Sequence, residues 1–102
     1  MQNYCNDSTE RLFEAIAGIE TPEECKAFFE DLCTIKEILD MAQRLDTAVM
    51  LYEGNSYQKI ADKVGVSSAT ISRVSRALSY GSNGYKSAMG RLGITEKKNE
   101  DK

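Results

Sequence analysis

At 102 residues, 41% hydrophobic and 28% charged, the chain is long enough for one compact domain and too short for two. No run approaches the roughly 20 apolar residues of a membrane span, and the start MQNYCNDSTE lacks the basic-then-apolar layout of a secretory signal; a cytoplasmic protein without a membrane partner is expected. The net charge of -3 is divided, with twelve acids against four bases from Met1 to Asn55 and nine bases against four acids from Ser56 to Lys102, an asymmetry expected where one end of a domain faces a polyanion.

One proline, few glycines and no alternating β-branched runs predict an all-α chain. Asp7 or Ser8 is placed to cap a first helix that turns Leu12, Phe13, Ile16 and Ala17 inward, with Gly18 ending it. In "TPEECKAFFEDL", Thr21 is the N-cap, Pro22 fits the first helical position and Glu24 completes a capping box. Cys25 and Cys33 share a helical phase suited to packing. With no histidine in the chain, Cys5, Cys25 and Cys33 lack the usual partners of a zinc site or a Cys-His nucleophile, so no metal, no cofactor and buried reduced thiols are expected.

"TIKEILDMAQRLDTAVMLYEG" repeats the capping device with Thr34 and Glu37, and Gly54 closes the far end. Ile35, Ile38, Leu39, Ala42, Leu45, Ala48, Val49 and Tyr52 form one apolar stripe, which Met41, Met50 and Leu51 widen beyond what a surface helix needs. Such a helix belongs at the centre of an assembly. A domain this small also gains stability by covering apolar surface against a second copy, which makes a homodimer expected.

The segment "SYQKIADKVGVSSATISRVSRAL" opens with Ser56 capping a short helix over Tyr57 to Val64, turns at Gly65, and restarts at Ser67 to run to about Ser79. Ile60, Val64, Val66, Ile71 and Val74 take the seam positions, and Ala61 is small enough for a close crossing. This is the spacing of a DNA-binding helix-turn-helix, residues 56–79. Ser67, Ser68, Ala69, Thr70, Ser72, Arg73 and Arg76 are the candidate contacts to base edges in the major groove of double-stranded DNA, where arginine pairs with guanine or phosphate and hydroxyls serve either target. Ser56, Gln58, Lys59 and Lys63 are better placed for the phosphate backbone. Beyond the turn residues Gly81 to Gly84, Tyr85, Ala88, Met89 and Leu92 form the apolar side of a last helix, and residues 95–102 read as a disordered charged tail.

This stretch, preceded by "AQRLDTAVMLYEGN", resembles the Trp repressor superfamily and its YerC/YecD branch of small bacterial proteins, with "ATISR" at Ala69 to Arg73 the most diagnostic piece. The likeness runs over roughly Ser8 to Ile94 and makes residues 1–94 one Trp-repressor-like domain. It implies a multi-helix fold in an intertwined homodimer whose two heads meet successive major grooves about 34 Å apart. It also implies an effector pocket in which Arg44 holds a ligand carboxylate and Arg73 stacks on an indole. This chain departs from that pattern at two places: Val74 stands where the repressor has a space-making glycine, and Ala77 where it has a serine for the ligand amino group. A co-repressor, if one exists, is therefore not expected to be tryptophan, with Arg44 expected in a salt bridge to an acid such as Asp40.

The function expected is a sequence-specific transcriptional regulator, a repressor that binds a palindromic operator as a dimer. The alternative is a helical protein-interaction module that uses the same helices without DNA. An enzyme is excluded on chemistry: Glu23 and Glu24, or Glu30 and Asp31, are sequence neighbours that point to different sides of a helix, and no nucleophile and base pair or phosphate loop is present.

Overall fold

The computed structural model describes residues 4–97. The described residues form six α-helices and no strand, in the order α1 (Asp7–Ala17), α2 (Pro22–Leu32), α3 (Ile35–Tyr52), α4 (Tyr57–Val64), α5 (Ser68–Tyr80) and α6 (Gly84–Arg91). The all-α expectation holds. The chain divides into two compact units, residues 1–38 and residues 39–102, with the boundary inside α3. No described helix is long and apolar enough to cross a membrane.

In the first unit, helix starts are set by side-chain caps. The cap of α1 is Asn6, one residue before the expected Asp7 or Ser8: its side chain accepts from the Thr9 N–H at 2.9 Å, and Thr9 Oγ1 accepts from the Asn6 N–H at 2.9 Å. Threonine here plays the part that glutamate has in the usual capping box, so the pattern is easily missed. Thr21 caps α2 through the Glu24 N–H at 3.1 Å, with Pro22 in the first turn, while its hydroxyl donates to Glu24 Oε1 at 3.3 Å. Thr34 and Glu37 exchange both bonds of the box, at 2.8 and 3.1 Å.

Neither α1 nor α2 buries a residue. Leu12 and Ile16 are half-buried, Ala17 is exposed, and Phe13 and Leu32 are about half exposed, which corrects the inward stripe expected of α1. Two three-turn helices are too short to enclose a core of their own. The expected burial of the thiols is corrected likewise: Cys5 is exposed, and Cys25 and Cys33 are only half-buried.

The second unit holds the core. Ala48, Val74 and Met89, from α3, α5 and α6, form its buried cluster, and Val49, Leu51, Tyr52, Leu78, Tyr85 and Ile94 pack around it. Ile60 and Ile71 are fully buried where α4 packs against α5. Thr47 is fully buried too, unexpected for a polar residue; its hydroxyl is satisfied by donating to the Gln43 carbonyl at 2.8 Å.

The end of α3 is closed on all sides. Gly54 (φ 87°) turns the chain into the left-handed region, so its N–H reaches the Leu51 carbonyl at 3.0 Å and the Asn55 N–H the Met50 carbonyl at 3.0 Å, a Schellman motif. The next orphan carbonyl, Tyr52, accepts from the Lys97 N–H at 2.8 Å, so the segment after α6 folds back onto the end of α3. The remainder of the expected tail, residues 98–102, lies outside the described residues.

Candidate nucleic-acid interface

Ser56 caps α4, accepting from the Lys59 N–H at 3.2 Å, and Gly65 (φ 82°, ψ 28°) ends it in the left-handed conformation that only glycine adopts without strain. Two residues later Ser67 caps α5, accepting from the Thr70 N–H at 3.1 Å, while its hydroxyl donates to Thr70 Oγ1 at 3.1 Å. The sequence therefore folds locally as expected: helix, tight turn, helix.

At 3.6 residues per turn, α5 shows two opposed faces. Ile71 and Val74 are buried and Leu78 half-buried on one; Ser68, Ala69, Ser72, Arg73 and Arg76 are exposed on the other. That exposed face brings together hydroxyl and guanidinium groups over about 12 Å of helix from Ser68 to Arg76, at the usual 1.5 Å per residue. Ser67 and Thr70 differ from the rest. Their hydroxyls are engaged with each other, and Thr70 is half-buried, so they hold the helix start in place.

The four residues expected at phosphates are split. Ser56 is a half-buried cap, and Gln58 Nε2 donates to Asp62 Oδ1 at 3.0 Å on the exposed side of α4. Lys59 and Lys63 are one turn apart on another side, where they line an open cleft of about 590 Å³. Asp46 of α3 and Glu53, just past the end of that helix, form its acidic part, and Val49, Met50 and Val64 its apolar part. Carboxylates sharing a cleft with the two ammonium groups temper the positive field there.

Of the expected effector residues, the structure brings together only two. Arg44 and Arg73 line one cleft of about 290 Å³, with Asp40, Gln43, Val66 and Thr70. Val74 is 2% exposed and belongs to the core, and Ala77 lines a separate apolar hollow with Leu45, Tyr85 and Ala88. Asp40 is the acid expected beside Arg44, whereas Gln43 was not singled out. Their spacing of three and four residues along α3 carried the signal, since such positions share a helix face. Val66 and Thr70 carried none, because a turn decides which way they face. Arg73 is thus both exposed on α5 and part of this cleft.

Comparison with known proteins bears on this geometry. The chain is 50% identical over 93 residues to the uncharacterized protein YerC of Bacillus subtilis (strain 168), covering 91% of this chain and 89% of that one. The crystal structure of a TrpR-like protein from Eubacterium eligens ATCC 27750 superposes with a TM-score of 0.84 at 49% identity, covering 90% of this chain and 95% of that one. A Staphylococcus aureus structure, described as that of a proposed Trp repressor, gives a TM-score of 0.86 at 41% identity over 91% and 93%. The sequence profile of the family described as Trp repressor protein matches residues 7–93, nearly the whole described chain. On sequence and fold together, this chain belongs to the Trp repressor protein family.

Proposed function

We propose that this protein is a sequence-specific DNA-binding regulator of transcription, a cytoplasmic repressor that acts as a homodimer on a palindromic operator. The observation that carries the reading is the outward face of α5, where Ser68, Ala69, Ser72, Arg73 and Arg76 stand clear of the core. A helix with small residues near its start seats deeply in a major groove, and arginines one turn farther along reach guanine or phosphate. Ser67 and Thr70 stiffen the start of that helix. Ser56, Gln58, Lys59 and Lys63 orient the head on the backbone, and the two heads of a dimer engage grooves about 34 Å apart.

Tryptophan is not the effector in this reading. Val74 occupies core volume against Ala48 and Met89, and Ala77 offers no hydroxyl to a ligand. The cleft holding Arg44 and Arg73 also contains the Asp40 carboxylate, which opposes an incoming carboxylate. Titration calorimetry with tryptophan is expected to give no heat of binding, and stoichiometric binding would overturn this part.

Selection of bound duplexes from a random pool by the purified protein tests the whole. A palindromic consensus with half-sites one helical turn apart is the expected product, and recovery of no enriched sequence would overturn the function. The half-exposed Phe13 and Leu32 favour the second reading, a protein-interaction module. Salt separates the two, because counterion release makes DNA affinity fall steeply with ionic strength and a partner module has no such slope.

A further inference from the structure

We propose that Asn83–Gly84 is a site of spontaneous covalent modification, at which Asn83 deamidates to aspartate and isoaspartate in the folded protein. This inference does not depend on DNA binding. Asn83 is a described non-glycine residue with positive φ (68°, ψ 10°), and its side chain makes no capping hydrogen bond although it stands at the N-cap of α6. Both Asn83 and Gly84 are exposed.

The reaction needs the Gly84 nitrogen as nucleophile. As the first residue of α6, Gly84 owns one of the N–H groups that a helix leaves without an internal partner; the helical bonding to Asn83 begins only with the Ser87 N–H on the Asn83 carbonyl at 3.0 Å. Once deprotonated, that nitrogen attacks Asn83 Cγ. The N–Cγ bond forms, the Cγ–Nδ2 bond breaks, and ammonia leaves with a proton. Solvent water then opens the cyclic imide: cleavage of the new N–Cγ bond yields aspartate, and cleavage of the original main-chain bond yields isoaspartate. The net change is one amide and one water to one carboxylate and one ammonium ion. Ring closure requires Asn83 ψ to rotate away from 10°, and Gly84 brings no side chain of its own to crowd the attacking nitrogen.

The other two described asparagines are held. Asn6 Oδ1 accepts from the Thr9 N–H at 2.9 Å, and the next residue is Asp7 and not glycine, so the attacking nitrogen belongs to a residue with a side chain. Asn55 is half-buried, Nδ2 donates to the Met50 carbonyl at 2.9 Å, and Ser56 follows. Selectivity within one chain is therefore a consequence of the fold and sequence together. The product aspartate makes the formal charge of -3 one unit more negative and places a carboxylate at the start of α6, where helix amides favour it. Isoaspartate instead adds a methylene to the main chain in the turn that joins α5 to α6.

The test is incubation of the native full-length chain at mildly alkaline pH, followed by tryptic mapping and isoaspartyl methyltransferase labelling. The peptide of residues 77–86 is expected to gain the mass of an NH2-to-OH exchange and to accept label, while the peptides holding Asn6 and Asn55 stay unchanged and the intact protein shifts by one charge to the acidic side. Gly84→Ala, whose added methyl has open space, is expected to slow conversion strongly, and Asn83→Gly to abolish the acidic shift. Conversion of residues 77–86 in urea but not in the native protein would show that the fold protects the site and overturn the proposal. Equal conversion at Asn55, or undiminished conversion in Gly84→Ala, would do the same.

Discussion

Ile71 and Arg76 are five residues apart on α5, and the helix turns them to opposite tasks. Ile71 is fully buried and Arg76 exposed. Ile71→Ala removes three carbons from a site that neighbouring helices hold rigidly, so a loss of about 2–5 kcal/mol of stability is expected in urea unfolding. Arg76→Ala is expected to leave stability within about 0.5 kcal/mol of the parent, because it vacates only surface. In DNA titrations across salt concentrations, however, it should weaken binding and reduce the slope of log affinity against log salt by about one contact. An unchanged slope would remove Arg76 from the interface. Both residues are legible in the sequence, since spacing along a helix decides inside from outside. Thr47 was not legible: full burial of a hydroxyl depends on its bond to the Gln43 carbonyl one turn back, and spacing alone does not choose that rotamer.

At the level of elements, the two helices of the head are held at their angle by one residue with φ 82°. Gly65→Ala would meet no atom within 4 Å, so its cost is purely conformational, about 1–2 kcal/mol for an L-residue in the left-handed region. Thermal unfolding checks this, and an unchanged midpoint would mean that the turn relaxes into another geometry. The segment after α6 poses a similar question for α3. Truncation after Gly93 removes both the Ile94 side chain from the core cluster and the Lys97 N–H from the Tyr52 carbonyl. Faster hydrogen exchange at Gly54 and Asn55 is expected, because the last turn of α3 then ends in an unpaired carbonyl. Helix starts with Thr or Ser caps were readable, as at Thr21, Thr34, Ser56 and Ser67. The start of α1 was displaced by one residue because Asn6 and Thr9 form the box between them.

For the molecule as a whole, the telling residues are large apolar side chains left in solvent. Among them, Leu39 of α3 is 58% exposed. It belongs to the apolar stripe that the sequence marks as too wide for a surface helix. A second copy is the proposed cover. Leu39→Asp, which places a charge in that stripe, is expected to shift sedimentation equilibrium from dimer to monomer and to abolish binding to a palindrome while half-site binding survives weakly. A parent protein that sediments as a monomer at all concentrations would sink the dimer.

The sequence by itself determined the helices, their order, the tight turn at Gly65 and the two faces of α5, because caps, left-handed glycines and apolar periodicity act over a few residues and need no distant partner. Tertiary structure alone decided which apolar positions find cover. It gathered Val74 into the core with Ala48 and Met89, placed Ala77 in a different hollow, set Arg44 and Arg73 beside Asp40 in one cleft, and left α1 and α2 without a buried residue. The physical reason is that burial is a property of several elements meeting at once. A helix announces an apolar face from its own residues, but what meets that face is set by chain segments far along the sequence.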